Sequence, residues 1–129
     1  MSDWVVLVLP DDDHAPEVAR RFVREHARAL PSDLVQDAQL LVSELVTNAI
    51  RYGRPSIVVR LRSDPPALGI AVEDRGEQLP QLPADVPDPH APTGRGMLLV
   101  DAIAQTWGIA PSQDPPGKAV WFDLAATPS

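Results

Sequence analysis

The sequence contains no cysteine, which excludes a disulfide scaffold and any zinc–thiolate centre. Its three histidines (His14, His26 and His90) never fall at ligand spacing, so a structural zinc is not expected. Aromatic side chains are scarce, and Trp4, Trp107 and Trp121 are too scattered to form a base-stacking surface. They are expected in or at the edge of a core. Long apolar runs are missing as well: Val5 to Leu9 falls far short of the roughly 18 residues that a membrane helix needs. No basic stretch followed by an apolar one opens the sequence, so no secretion signal is expected. Basic residues are outnumbered, 11 against 18 acidic ones, and the net charge of −7 with a pI near 4.7 argues against binding nucleic acid through bulk charge. Arginine exceeds lysine ten to one, which fits genome composition better than function. What is present is enough apolar residue (44%) to build a core within 129 residues. One soluble, acidic, cytoplasmic domain over residues 1–129 is expected.

Proline is the residue in excess, at 15. Pro80, Pro83, Pro87, Pro89 and Pro92 crowd the stretch from Leu79 to Thr93, where hydrophobic periodicity is lost. Proline fixes φ and removes an N–H, so this stretch suits neither a helix interior nor a central strand. A connection of that length is commonly functional, which makes it the first candidate for a lid. Elsewhere the pattern is regular. Asp3 to Leu9 predicts a strand ended by Pro10. Asp11 to Asp13 offer N-caps for a helix with Pro16 in its first turn, carrying Val18, Phe22 and Leu30 until Pro31 breaks it. Ser32 or Asp33 can cap a second helix, with Asp33 and Gln36 at capping-box spacing, and Gly53 stops it. Leu34, Ala38, Leu41, Leu45 and Ala49 supply its apolar stripe. Ser56–Arg62 and Leu68–Val72 alternate in polarity on either side of a Ser63-Asp64-Pro65-Pro66 turn, predicting a hairpin. A third helix is expected from Gly96 to Gln105 and a last strand from Lys118 to Leu124. The fold class is an α+β two-layer sandwich: a mixed, mainly antiparallel sheet covered on one face by three helices.

Three short elements could carry chemistry. Glu44 and Asn48 lie four residues apart in the second helix, so their side chains share one face a turn apart, away from Leu45 and Ala49. A carboxylate can accept a proton and an amide oxygen suits Mg²⁺, although a solvated polar pair is commoner on helices. Asp74, just past a strand and followed by Arg75-Gly76, is ordinary turn chemistry or an acceptor for an exocyclic amine, with Gly76 admitting a flat ring. Thr93-Gly94-Arg95-Gly96-Met97 opens a helix, where free N–H groups and the helix dipole favour an anion. Arg95 could pair with it or remain solvated.

The three elements in this order, with the proline-rich stretch between the last two, resemble the GHKL-type ATPase domain, or Bergerat fold. Ser43-Glu44-Leu45-Val46-Thr47-Asn48-Ala49 is similar to the N box, Asp74-Arg75-Gly76 to the first glycine box and Gly94-Arg95-Gly96 to the second. Gly94 to Val100, Trp107-Gly108 and Gly117-Lys118-Ala119-Val120-Trp121 extend the likeness to the stand-alone, anti-sigma-factor-like serine/threonine kinases of Gram-positive bacteria. That resemblance implies ATP and Mg²⁺ as cofactors. It implies Asn48 as the Mg²⁺ ligand, Glu44 as the catalytic base, and Asp74 with Gly76 at the adenine. Gly94, Arg95, Gly96 and Met97 would lie around the phosphates, with Arg51 as a nearby basic residue. It further implies a sigma factor or an anti-anti-sigma (STAS-like) protein as partner, with homodimerisation possible and no direct contact with nucleic acid or membrane. The first glycine box departs from the family pattern, continuing Gly76-Glu77-Gln78-Leu79-Pro80. An active kinase and a non-catalytic adaptor with a degenerate nucleotide site are therefore both open at this point.

Overall fold

The computed structural model describes residues 3–76, 95–112 and 117–126. The proline-rich stretch, Glu77 and Gly94 lie outside them. The elements run β1 (Val5–Val8), α1 (Ala15–His26), α2 (Ser32–Tyr52), β2 (Val58–Asp64), β3 (Ala67–Asp74), α3 (Arg95–Ile103), β4 (Thr106–Pro111) and β5 (Lys118–Ala125). The strands form one sheet in the order β1-β2-β3-β5-β4, and every pairing is antiparallel. The three helices cover one face, which gives the α+β sandwich expected from the sequence. No helix among the described residues is long and apolar enough to cross a membrane.

Alternation along the strands sets the two faces of the sheet. Ile57, Val59 and Leu61 of the β2 segment, Leu68, Ile70 and Val72 of β3, and Val120, Phe122 and Leu124 of β5 turn toward the helices and are buried. The stripe of α2 (Leu34, Ala38, Leu41, Leu45, Ala49, joined by Val42 and Val46) meets them, together with Ala19, Phe22 and Val23 of α1. Complete burial of a Leu, Ile or Phe side chain contributes about 2 kcal/mol, so this shared cluster is what holds α2 against β3. Arg20 donates to Ser43 Oγ (2.9 Å) and Gln39 to the Arg20 carbonyl (3.1 Å), fixing α1 alongside α2. Because inward positions on β3 run Leu68, Ile70, Val72, Asp74, the last of them carries a carboxylate into the helix-covered layer at the strand's end.

Several local expectations are corrected. Strand β4 was not anticipated: Thr106, Trp107 and Ile109 favour extension, but Gly108 and Pro111 interrupt the run. Pairing with β5 imposes the extended form, Gly108 leaves room for the Trp121 ring, and Pro111 is tolerated on an edge strand. Helix α1 ends at His26, well before Pro31, and the chain turns through Leu30 N–H to the Ala27 carbonyl so that both residues are buried. His14 occupies its N-cap position; Asp12 instead accepts from the His14 backbone N–H (2.8 Å) just outside the helix. Pro31 stands at the N-cap of α2, and no capping box forms from Asp33 and Gln36. Trp4 is 46% exposed, with the Arg62 guanidinium 5.1 Å from its ring, so it is not a core residue. Trp107 does pack against the core.

Candidate functional site

Glu44 and Asn48 project from α2 along the edge of its apolar stripe, and each is half-buried. The cover comes from the beginning of α3. Gly96, its second residue, is buried, and a Cβ there would stand 3.2 Å from Asn48 Nδ2 and 3.2 Å from Glu44 Oε2. The absence of a side chain at 96 thus lets the first turn of α3 rest directly on the carboxylate and the carboxamide. Free backbone N–H groups at a helix start carry partial positive charge, so this junction couples an anion-favouring terminus to a proton acceptor and a hard oxygen donor. Met97, expected near a ligand, has its side chain in the core at 1% exposure; only its backbone belongs to the terminus. Arg51, in the last turn of α2, is exposed and makes no hydrogen bond among the described residues.

The second group forms where α2 ends. Gly53 closes the helix through its N–H to the Ala49 carbonyl (2.9 Å), and a Cβ at 53 would lie 2.6 and 2.7 Å from the two carboxylate oxygens of Asp74. The carboxylate therefore occupies the space that a side chain at 53 would need. Asp74 is buried. Its Oδ1 accepts from the Gly76 N–H (2.7 Å), from Lys118 Nζ (3.0 Å) and, at 3.4 Å, from the Arg54 N–H. Arg75 N–H bonds the Arg54 carbonyl (2.9 Å), tying the end of β3 to the chain leaving α2. Lys118 faces Asp74 directly in the β3–β5 register, is itself buried, and reaches the Gly76 carbonyl at 3.4 Å. Gly117, just before it, has φ +144°, in the region that favours glycine. A Cβ there would overlap the Asp74 carbonyl oxygen and lie 2.9 Å from Ser112 Oγ.

The structure thus brings Gly96 onto Glu44 and Asn48, and Gly76 onto Asp74. Helix α2 is the ruler between the two groups: Gly53 lies about 7–8 Å beyond Asn48 along the axis at the usual rise per residue. Lys118, Gly53 and Gly117 are members of the site that reading the sequence for chemistry did not single out. Gly53 served only as a helix stop, and Gly117 and Lys118 entered only as part of the Gly117-Lys118-Ala119-Val120-Trp121 likeness, Lys118 also being the single lysine of the sequence. The donor set suits Mg²⁺ held jointly with a ligand's phosphates and water: one amide oxygen and one carboxylate are present, and no cluster of three or more acidic or histidine ligands occurs among the described residues.

The family model described as the histidine kinase-like ATPase domain matches residues 8–124. Among solved structures the chain is similar to the RsbU and RsbW domains of Rv1364c from Mycobacterium tuberculosis, at 18% identity and a TM-score of 0.68. That likeness, which is one of fold, covers 95% of this chain and 32% of the other, so this chain spans about a third of the length of the solved chain it matches. No curated protein matches by sequence.

Proposed function

The chain belongs to the histidine kinase-like ATPase domain family, and from that premise we propose that it is a cytoplasmic, ATP-binding regulatory protein. In this reading it is a Mg-ATP-dependent serine/threonine kinase that acts on an anti-anti-sigma, STAS-like protein and also binds a sigma factor. The contact of Gly96 with Glu44 and Asn48 is the observation that carries the reading, because it sets a helix start for phosphate against the two side chains that phosphoryl transfer would use. When bound, Mg-ATP supplies the phosphoryl group together with the cation that offsets its charge. Asn48 offers its amide oxygen to the metal. Glu44, half-buried yet open enough to meet a partner's side chain, takes the proton from the attacking serine hydroxyl. The backbone at the start of α3, at Gly96 and Met97, would receive the phosphates, with Gly94 and Arg95 joining them on the sequence likeness alone and Arg51 adding positive charge nearby. Asp74 accepts from the exocyclic amine of adenine, and Gly76 leaves space for the ring.

Calorimetric titration of the full chain with Mg-ATP tests the first half. Binding is expected, and ligand at about 100 times its Kd should raise the unfolding free energy by about 2.7 kcal/mol. Labelled ATP with an anti-anti-sigma-like protein tests the second half: acid-stable phosphoprotein should form, and Glu44→Ala should abolish it without lowering the melting temperature. Binding without transfer would leave a nucleotide-dependent adaptor. Absence of binding would sink the proposal entirely.

A further inference from the structure

Asp74 spends one oxygen on the protein and keeps the other. Oδ1 receives Gly76 N–H, Lys118 Nζ and the longer Arg54 N–H, while no hydrogen bond among the described residues ends on Oδ2. Two consequences bear on any planar ligand that reaches this carboxylate. The Gly76 N–H, the nearest backbone donor, is already engaged at 2.7 Å and is not available to a ring nitrogen. The Lys118 ammonium, by contrast, has three protons and, among the described residues, two partners, Asp74 Oδ1 at 3.0 Å and the Gly76 carbonyl at 3.4 Å. The buried end of the site therefore presents a free carboxylate oxygen and one remaining N–H donor on the group bonded to its sister oxygen. Lys118 is the single lysine of the sequence.

Resting on the reading of the site as a nucleotide site, we infer that Lys118 is a specificity-determining residue for the base: it donates to the ring nitrogen beside the exocyclic amine, while Asp74 Oδ2 accepts from that amine. An acceptor next to a donor complements the amidine edge of a 6-aminopurine. Guanine fits less well, because its adjacent N1–H and 2-amino groups call for two acceptors and Oδ1 is already saturated. Burial of Lys118 strengthens the discrimination, since water competes poorly for its third proton. The backbone enforces the placement. Lys118 lies opposite Asp74 in the β3–β5 register, and Gly117 at positive φ packs against the Asp74 carbonyl, so the side chain enters the site from a fixed point.

The test compares ligands before it compares proteins. The full chain is titrated with ATP, with 1-deaza-ATP, which lacks the ring nitrogen, and with purine riboside triphosphate, which lacks the amine. Wild-type protein should bind 1-deaza-ATP about 10- to 100-fold more weakly than ATP, as expected for losing a hydrogen bond to a charged group. In Lys118→Met that gap should shrink to within about 3-fold, while the penalty for the missing amine, which reports on Asp74, persists. A merely structural lysine would weaken all ligands together. Equal binding of ATP and 1-deaza-ATP by the wild type would overturn the role of Lys118 and leave the nucleotide reading standing, and this arm needs no variant to fold. Failure of the wild type to bind any of the three would instead remove the nucleotide reading and this inference with it.

Discussion

Midway along α2, Glu44 and Asn48 lie half-buried beneath the start of α3, whereas at the helix's C-terminal end Asp74 is enclosed by Gly53, Gly76, Gly117 and Lys118. Of the atoms facing the missing side chain at Gly96, Asn48 Nδ2 and Glu44 Oε2 are side-chain tips that can turn aside by a few tenths of an ångström, while Glu44 Cβ, at 3.3 Å, moves only with its helix. Those facing Gly117 include the backbone of β3, and those facing Gly53 belong to a carboxylate held by three donors. Under the proposed function, a phosphate end that must admit a metal, a reacting group and a partner's side chain would gain from adjustable neighbours. A base end that discriminated by hydrogen bonds would gain from fixed ones. Burying the Asp74–Lys118 pair costs desolvation that the attraction only partly offsets, so its presence is better explained by positioning than by stability.

Glycine substitutions can break this comparison. Gly117→Ala should have the largest effect, about 3–4 kcal/mol of lost stability in urea denaturation. It combines a backbone conformation unfavourable to alanine with overlap onto the immobile Asp74 carbonyl. Gly53→Ala follows at about 2 kcal/mol. Its Cβ displaces the Asp74 carboxylate from its donors without backbone strain, and nucleotide affinity should fall in the same preparation. Gly96→Ala comes last. Its contacts at 3.2 Å are with side-chain tips that can yield, Glu44 Cβ at 3.3 Å needs a shift of a few tenths of an ångström between α3 and α2, and alanine is the better helix former, so stability should fall by no more than about 1 kcal/mol while Mg-ATP binding weakens. If Gly96→Ala were as damaging to the fold as Gly53→Ala, the two ends would not differ in rigidity.

Legibility from sequence followed the range of the interactions. The pairing of Glu44 with Asn48 needs only a helix, because positions four apart share a face. The apolar stripe of α2 and the alternation of β2 and β3 are periodic signals of the same local kind, and they appear in the structure where the pattern puts them. Caps were less legible. The acidic residues before α1 and the Asp33–Gln36 spacing permit side-chain caps, but nearby backbone geometry, including Pro31 at the N-cap, decided against them. Strand β4 was missed although Thr106, Trp107 and Ile109 favour extension, because Gly108 and Pro111 break the run; pairing with β5 supplies the reason for it. Met97 shows the limit from another side, since its position beside a glycine pair suggested a ligand contact while its side chain had core volume to fill.

By itself the sequence determined the order of the elements up to β4, the inward stripe of α2, and the set of acid, amide and glycine residues on which the functional reading depends. These follow from spacing, which a chain carries before it folds. Only the tertiary structure decided that Gly53 makes room for the Asp74 carboxylate, that Gly96 rests on Glu44 and Asn48, and that the one lysine reaches Asp74 across 44 residues of chain. Each of these requires two distant segments to meet at an ångström-scale separation. That separation is set by sheet register and by close packing of the core, neither of which is encoded in any single stretch of sequence.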